Sequence, residues 1–120
     1  MVVDDDPTIV RIVAALLSKH GYEVDQYFDP AAALARIKTG RRFGLILCDV
    51  VMPGKNGPQI YLRLREFNRF QAARIVFMTT GVPDNDPLRA FFDDWSDEVI
   101  LKPFGRGNLL ACVRSRLGQA

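Results

Sequence analysis

Residues 43–57 read FGLILCDVVMPGKNG, and this stretch decides the fold of the chain. Its first part, residues 43–48, is a continuous apolar run, which is typical of a strand that is buried on both faces. The run leads directly into Asp49, and a turn-rich loop follows at residues 53–57. Because such strands occur mainly in parallel sheets covered by helices, the stretch predicts an α/β fold in which Asp49 follows a buried strand.

The rest of the chain continues this alternation of apolar runs and amphipathic stretches. Further strands are predicted at residues 2–3, 22–28, 75–78 and 99–101. Asp6-Pro7 and Asp29-Pro30 each place a capping side chain before a proline, which favours the start of a helix. Three more helices are predicted around Ile60, Leu88 and Leu109. Five strands alternating with five helices imply parallel pairing and right-handed crossovers, and hence a doubly wound three-layer α/β sandwich.

Composition excludes several other classes of protein. The 120 residues are 48% apolar and 25% charged, which is ordinary for one globular domain, so we expect a single domain over residues 1–120. A net charge of +2 with scattered arginines argues against direct binding of nucleic acid. No apolar run approaches the roughly 20 residues of a membrane span, so we expect no membrane contact. Cys48 and Cys112 lack metal-ligand spacing, and we expect a reduced cytoplasmic setting.

Polar side chains follow four of the five predicted strands. Asp4 and Asp5 follow the first strand, Asp49 the third, Thr79 the fourth and Lys102 the fifth. Because the carboxyl ends of parallel strands share one edge of the sheet, these side chains are expected to converge there. Three carboxylates suit a hard cation such as Mg²⁺, and the lysine and threonine could meet a phosphoryl oxygen. This set is what phosphoryl transfer onto a protein aspartate needs.

Four motifs in this order resemble the receiver domain of two-component response regulators. They are VVDDDP at 2–7, LILCDVVMPGKNG at 45–57, IVFMTTG at 75–81 and ILKPF at 100–104. The resemblance covers essentially the whole chain, and its motifs are specific in combination. It implies the flavodoxin-like receiver fold, with the sheet order 2-1-3-4-5. It also implies a phosphorylation-controlled signalling module whose partners change when Asp49 is modified.

The resemblance implies a role for each matching residue. Asp49 would accept the phosphoryl group from a histidine kinase, a phosphotransfer domain or a small acyl phosphate. Mg²⁺ would be held by Asp4, Asp5, Asp49 and the backbone carbonyl of Val51, with Asp5 as the direct ligand of the acidic pair and Asp4 acting through water.

Lys102 and the Thr79 hydroxyl would bind the phosphoryl group, and Pro103 occupies the family's usual cis-proline position. Thr80 competes with Thr79 as the switch hydroxyl, and the spacing favours Thr79. The only histidine, His20, stands before Gly21 and is interpreted as a helix-capping residue rather than a phosphorelay histidine. Asp6 is likewise interpreted as a helix cap rather than a metal ligand.

Two function classes remain open at this stage. The first is the signalling module, which takes part in its own Mg²⁺-dependent phosphorylation and dephosphorylation but is not an enzyme in its own right. The second is an aspartate-nucleophile phosphotransferase or phosphatase built on the same carboxylates. Such enzymes usually carry a second aspartate two residues after the nucleophile, where this chain has Val51.

Features of the sequence also suggest the kind of longer protein to which this domain belongs. The very short first strand suggests that a segment before Val2 has been trimmed. The segment from Arg74 to Phe104 resembles receivers of hybrid sensor histidine kinases more than those of transcription factors. We therefore expect a receiver cut from a longer protein, with a covalently attached kinase or output domain, and we place it in the C-terminal part of a hybrid kinase.

One position departs from the family pattern. Receivers carry an aromatic residue three positions before the lysine, and this chain has Val99 there. A valine has no ring to rotate, so the usual movement on the fifth strand cannot occur in its usual form. We expect the loop at residues 80–87 and the short helix that carries Phe91, with Trp95 after it, to respond to phosphorylation instead.

Overall fold

Strands and helices alternate along the chain in the computed structural model, which describes residues 1–82, 84–95, 97 and 99–118. The strands are β1 (Val2–Val3), β2 (Gln26–Tyr27), β3 (Ile46–Asp49), β4 (Ile75–Thr79) and β5 (Val99–Leu101). The helices are α1 (Pro7–Lys19), α2 (Pro30–Lys38), α3 (Gly57–Phe67), α4 (Arg69–Ala72), α5 (Arg89–Asp93) and α6 (Arg106–Leu117). Pro83, in the loop predicted before α5, and Ala120, at the end of the predicted domain, lie outside the described residues.

The five strands form one parallel sheet in the order β2-β1-β3-β4-β5, which confirms the predicted topology. β3 is central, and its register pairs Asp49 with Met78 on β4. β4 in turn pairs Thr79 with Leu101, the residue before Lys102. This register brings the ends of β3, β4 and β5 to the same level at the carboxyl edge of the sheet.

Helices cover both faces of the sheet, and successive strand residues alternate between the two layers because side chains in a strand have a period of two. One core includes Val3, Ile46, Cys48, Ile75 and Phe77, together with residues of α2 and α3. The other core includes Val2, Leu47, Val76 and Met78, together with residues of α1 and α6. The predicted three-layer sandwich is therefore confirmed. No helix among the described residues is both long and apolar enough to cross a membrane.

The predicted helix starts are confirmed at the level of single hydrogen bonds. The Asp6 carboxylate accepts a bond from the Thr8 amide at 2.9 Å, and Asp29 does the same for Ala31 at 3.2 Å. Each satisfies an amide that has no partner within its helix. At the end of α1, His20 Nδ1 lies 2.9 Å from the Leu16 carbonyl oxygen, so this ring caps the helix as predicted.

Three strands differ from their predicted bounds, and β4 differs only by including Thr79, which the sequence placed just after it. The second strand was expected at residues 22–28, but only Gln26–Tyr27 pairs, because β1 offers two residues and each takes one partner. Tyr22 and Val24 pack against the core without joining the ladder. The third strand begins at Ile46 rather than Phe43 and includes Asp49, which the sequence placed just after it.

The segment after α3 contains an element that the sequence analysis missed. Asn68 ends α3 and caps the four-residue helix α4, its side chain accepting a bond from the Gln71 amide at 3.1 Å. Gln71 is completely buried, and its side chain binds the backbone of Phe43 twice. The Phe43 amide donates to Gln71 Oε1 at 2.7 Å, and Gln71 Nε2 donates to the Phe43 carbonyl at 2.8 Å. Gln71 thus takes the place of a strand partner, which is why Phe43 lies outside β3.

Gln71→Met is expected to lower the free energy of unfolding by about 2–4 kcal/mol. Methionine keeps the shape of the side chain but leaves a buried amide and a buried carbonyl of Phe43 without partners, and each such group costs about 1–3 kcal/mol. Urea unfolding followed by circular dichroism measures the change.

Gln26→Met is the matched control, because Gln26 is exposed on β2. It should change stability by less than about 0.5 kcal/mol. Equal losses in the two variants would show that the paired bonds to Phe43 contribute nothing specific.

Candidate functional site

Three carboxylates meet at the carboxyl edge of the sheet. Asp4 and Asp5 follow β1, and Asp49 is the last residue of β3. One oxygen from each carboxylate lies within 4.8 Å of the others. Asp4 and Asp49 are buried, with 1% and 8% of their surface exposed, whereas Asp5 is exposed. The predicted convergence of these three residues is confirmed by their geometry.

Lys102 lies between two of these carboxylates. Its Nζ is 2.6 Å from Asp4 Oδ2 and 3.1 Å from Asp49 Oδ1. Its backbone amide donates to the Thr79 carbonyl at 2.7 Å, and the Lys102–Pro103 peptide is cis, as the resemblance implied. The ion pair with Asp4 was not predicted, although both residues follow strands that end at this edge.

The two aspartates of the acidic pair differ in how their oxygens are used. Asp4 Oδ1 accepts the Asp6 amide at 3.0 Å, and its Oδ2 accepts the Lys102 ammonium. Both oxygens of Asp4 are therefore engaged by the protein. The exposed Asp5 carboxylate faces solvent beside them and adds a third negative charge.

The charge on Asp49 is disfavoured by its surroundings. Burial raises the pKa of Asp49 to about 6, and the negative charge of Asp4 adds to this effect, while the Lys102 ammonium and the Val50 amide oppose it. Burial by itself would lower the pKa of Lys102, but its bonds to Asp4 and Asp49 outweigh burial and raise that pKa. The lysine thus remains a cation that stabilises two buried carboxylates.

The backbone around Asp49 is tightly packed against Gly57, with the Phe77 ring beside it. The Gly57 amide donates to the Val50 carbonyl at 2.8 Å. A Cβ on Gly57 would lie 2.6 Å from the Asp49 carbonyl oxygen and 2.9 Å from the Phe77 ring, so only glycine fits there. The sequence predicts a turn-rich loop at residues 53–57, and Gly57, which begins α3, also holds the Asp49 backbone in position.

Thr79 and Thr80 occupy different environments. Thr79 ends β4 and is buried, whereas Thr80 is exposed. The Thr79 hydroxyl accepts the Gly81 amide at 3.1 Å and lies 3.3 Å from the Gly81 carbonyl. It therefore binds its own loop in this structure rather than the carboxylates. Its predicted bond to a phosphoryl group stays a prediction.

Val51 and Asp6 complete the set of predicted residues. The Val51 side chain is 66% exposed, and its predicted role uses only the backbone carbonyl, which stays a prediction. Asp6 caps α1, and the acidic cluster of the described residues comprises Asp4, Asp5 and Asp49 without it. The interpretation of Asp6 as a helix cap is confirmed.

The donor chemistry of the cluster suits a hard divalent cation. Carboxylate oxygens are the ligands that such ions prefer, and those around one Mg²⁺ at about 2.1 Å are separated by at most about 4.2 Å. The oxygens here lie within 4.8 Å, so small side-chain rotations would suffice. The Cys48 thiol is buried in the hydrophobic core beside the site, and burial raises its pKa.

Comparison with known proteins agrees with this geometry. The family model described as "Response regulator receiver domain" matches residues 1–114. The chain belongs to the response regulator receiver family. It is a receiver domain of two-component systems.

Individual relatives show the range of proteins that contain such a receiver. The transcriptional regulatory protein DltR of Streptococcus agalactiae is 34% identical over 120 residues, covering 100% of this chain and 52% of that protein. The hybrid signal transduction histidine kinase L of Dictyostelium discoideum is 31% identical, covering 95% of this chain and 7% of that protein. This chain thus spans about half of the length of the first relative and much less of the second.

One of the similar solved structures contains Mg²⁺ together with BeF. The response regulator TrrA of Thermotoga maritima, crystallised in complex with Mg(2+)-BeF, is 26% identical and superimposes with a TM-score of 0.79. The match covers 97% of this chain and 96% of that chain.

Asp49→Asn is expected to raise the melting temperature of the metal-free receiver at pH 7. A folded-state pKa of about 6 lies above the ordinary value near 4, so ionised Asp49 destabilises the native state. The loss of stability develops as the pH rises from about 4 to about 6 and persists at higher pH. The neutral amide of asparagine removes this loss, which is about 1–3 kcal/mol. Thermal melts in a chelator measure the change.

Magnesium provides the internal control for this experiment. A divalent cation should stabilise the wild-type protein more than the asparagine variant, because the variant lacks one carboxylate ligand. A lower melting temperature for Asp49→Asn in chelator would contradict the prediction.

Proposed function

We propose that Asp49 is the phosphoacceptor of this receiver and takes its phosphoryl group from a phosphohistidine. The observation that carries the proposal is the buried Asp49 carboxylate, held 3.1 Å from Lys102 within a cluster of three carboxylates. A carboxylate oxygen would attack phosphorus, the P–N bond to the histidine would break, and the imidazole would leave with a proton. The product is an acyl phosphate on Asp49 and a free histidine.

The acidic cluster supports Mg²⁺ as the cofactor, held directly by Asp5, Asp49 and the Val51 carbonyl and through water by Asp4. When bound, the ion would neutralise negative charge that develops on the phosphoryl oxygens. Asp5 is the direct ligand of the acidic pair, because both oxygens of Asp4 are already engaged by the Asp6 amide and Lys102. Asp4 then acts through water and through its hold on the lysine.

Lys102 and Thr79 have complementary roles in this proposal. The Lys102 ammonium already contacts Asp49, so it can follow the charge from the carboxylate to a phosphoryl oxygen without leaving the site. The Thr79 hydroxyl must exchange its bonds to Gly81 for a bond to the phosphoryl group. That exchange would move the loop that begins at Thr80.

An aspartate-nucleophile phosphatase is the second candidate function. It would use the same carboxylates but needs an acid to protonate the leaving group, which such enzymes supply two residues after the nucleophile. That position is the exposed Val51, which cannot transfer a proton. Membership of the receiver family also favours the signalling module.

The protein context follows from the same family membership. We propose that residues 1–120 form one receiver domain and that its phosphoryl donor is a histidine kinase or a phosphotransfer domain, in the cytoplasm. Its relatives include DNA-binding regulators and a hybrid histidine kinase, which supports a covalently attached output or kinase domain. Among these, a hybrid kinase remains the context that we propose.

Incubation with Mg²⁺ and acetyl phosphate is expected to add one phosphate to the protein. The mass of the intact protein should rise by one phosphoryl group in the wild type and stay unchanged in Asp49→Asn, because the amide cannot act as the nucleophile. Chelation of Mg²⁺ should prevent the gain. Rapid multiple-turnover release of phosphate without a stable adduct would instead support the phosphatase.

Substitutions in the acidic pair provide the matched comparison. Asp5→Asn should slow the Mg²⁺-dependent modification more than Asp4→Asn, because a direct ligand is harder to replace than a residue that acts through water. Phosphorylation of Asp49→Asn at the wild-type rate would overturn the assignment of the nucleophile.

The structure also suggests how a change at the site reaches the surface. Phe77, on β4, is the centre of a cluster of aromatic rings and lies directly beneath Gly57. Its ring contacts four others. The distances between ring centres are 6.5 Å to Tyr61, 5.9 Å to Phe91, 5.5 Å to Phe92 and 5.0 Å to Trp95. Helix α5 and Trp95 therefore pack against the strand that ends at Thr79.

Apart from these ring contacts, few interactions hold helix α5 in place. It is five residues long, has no fully buried residue and lacks a side-chain cap. Arg89 links it to the preceding loop by donating to the Val82 carbonyl at 3.2 Å. Elements with so few buried contacts open at low free energy, which suits a segment that rearranges.

Phosphorylation of Asp49 is expected to change residues 80–95 more than β5. Amide hydrogen exchange, with and without acetyl phosphate and Mg²⁺, should show altered protection in this segment and little change at Val99–Leu101. Trp95, the single tryptophan of the chain, should report the same event as a change in fluorescence.

Asp49→Asn under the same conditions is the control, and it should show neither change. Altered protection restricted to residues 99–101, with the segment from 80 to 95 unchanged, would contradict this route.

A further inference from the structure

The edge of the sheet opposite Asp49 carries a cavity that the receiver function does not use. The cavity measures about 290 Å³ and opens to solvent. Its lining includes Arg42 before β3, Arg74 before β4, Arg116 in the last turn of α6, and the aromatic ring of Phe70. Residues just before a strand lie at the amino edge of the sheet, which places Arg42, Phe70 and Arg74 there. The last turn of α6, with Arg116, lies at the same edge because the helices run opposite to the strands.

Two of the arginines are held against the same ring. The Arg74 guanidinium carbon lies 4.5 Å from the centre of the Phe70 ring, and that of Arg42 lies at 5.6 Å. Phe70 is 51% exposed, so part of the ring remains accessible beside the two guanidinium groups. Contacts of this kind restrict the arginines before any ligand arrives, which reduces the entropy lost on binding.

The positive charge of the cavity is poorly neutralised. Within the part of the chain that the structure describes, neither Arg42 nor Arg74 forms an ion pair, and Arg116 meets only the exposed Asp97, at 3.5 Å. Gly44 and Leu117 also line the cavity and lie close together, because a Cβ on Gly44 would be 2.6 Å from the Leu117 side chain. The result is a cationic depression whose lining also includes apolar residues and an exposed aromatic ring.

The number of arginines favours a phosphate over a carboxylate as the ligand group. A phosphate monoester carries close to two negative charges at neutral pH and three terminal oxygens, so it can accept bonds from three guanidinium groups at once. A carboxylate has one charge and two oxygens. About half of the Phe70 side chain is exposed, which leaves aromatic surface beside the arginines for contact with a planar ring.

We propose that this cavity binds a mononucleotide, with its phosphate at Arg42, Arg74 and Arg116 and its base against Phe70. The volume is near the lower end of the range for small-molecule pockets, about 300–1,000 Å³, and so suits one nucleotide rather than a longer strand. The site is independent of Asp49, which lies at the other end of the strands.

Titration with adenosine monophosphate and with ribose 5-phosphate, both without Mg²⁺, tests the proposal. Amide NMR shifts should occur at residues 42–44, 70, 74 and 116–117, and adenosine monophosphate should bind more tightly than ribose 5-phosphate. Arg74→Gln should weaken binding about tenfold or more, since a bond to a charged group is lost. Phe70→Leu should remove the advantage of the nucleotide over ribose 5-phosphate.

Three controls make the result decisive. Arg69→Gln removes an equal charge next to Phe70 on helix α4, at a residue that does not line the cavity, and should leave the affinity within about twofold. Arg42→Gln, at an exposed position, replaces Arg74→Gln if that variant fails to fold. Asp49→Asn should bind the nucleotide like the wild type, which separates this site from the phosphoacceptor site.

Other outcomes would overturn the proposal. Equal weakening by Arg69→Gln and Arg74→Gln would show unspecific attraction of anions to a basic surface. Shifts that cluster around Asp49 would place the ligand elsewhere. Binding to phosphatidylcholine vesicles that contain phosphatidic acid, without binding of the nucleotide, would identify the surface as a lipid site.

Discussion

The structure depends on one electrostatic constraint, the mutual repulsion of three carboxylates within 4.8 Å of one another. Lys102 opposes it by contacting Asp4 and Asp49, but one ammonium against three carboxylates leaves the cluster negative. Burial increases the cost, as the raised pKa of Asp49 shows. A site of this kind is stable only if the surrounding sheet holds the strand ends in place, and it gains stability from whatever positive charge binds there.

The sheet meets this requirement through burial on both faces. β3 and β4 are completely covered, and their register fixes Asp49 beside Met78 and Thr79 beside Leu101. A slip of one residue would exchange the two core layers, so the register is strongly specified. Gly57 then holds the Asp49 backbone from the other side, where a single added methyl group would not fit. The geometry of the carboxylates is thus a consequence of packing that lies outside the site.

The difference between local sequence features and packing between distant residues explains which parts of the structure could be predicted from the sequence. The carboxyl ends of apolar runs are local features, so the sequence alone places Asp49 and Lys102 at one edge of the sheet. The length of β2 could not be predicted, because it depends on how many residues β1 offers as partners. Gln71 was missed for a related reason, since its two bonds to Phe43 join residues far apart in the chain. The clustering of the arginines at Phe70 is of the same kind, because they are scattered in the sequence and meet only in the fold.

The two edges of the sheet differ in charge for a reason that lies in the topology. In a doubly wound fold every covering helix runs opposite to the strands, so its amino terminus lies at the carboxyl edge and its carboxyl terminus at the amino edge. Helix dipoles favour anions at the first and cations at the second. The caps Asp6 and Asp29 follow this rule, as do the basic residues in the last turns of α2 and α6. The net charge of +2 conceals this separation, because acidic and basic groups nearly cancel over the chain. Arg116 and Asp49 therefore belong to one pattern, in which the direction of the chain determines where each sign of charge is stable.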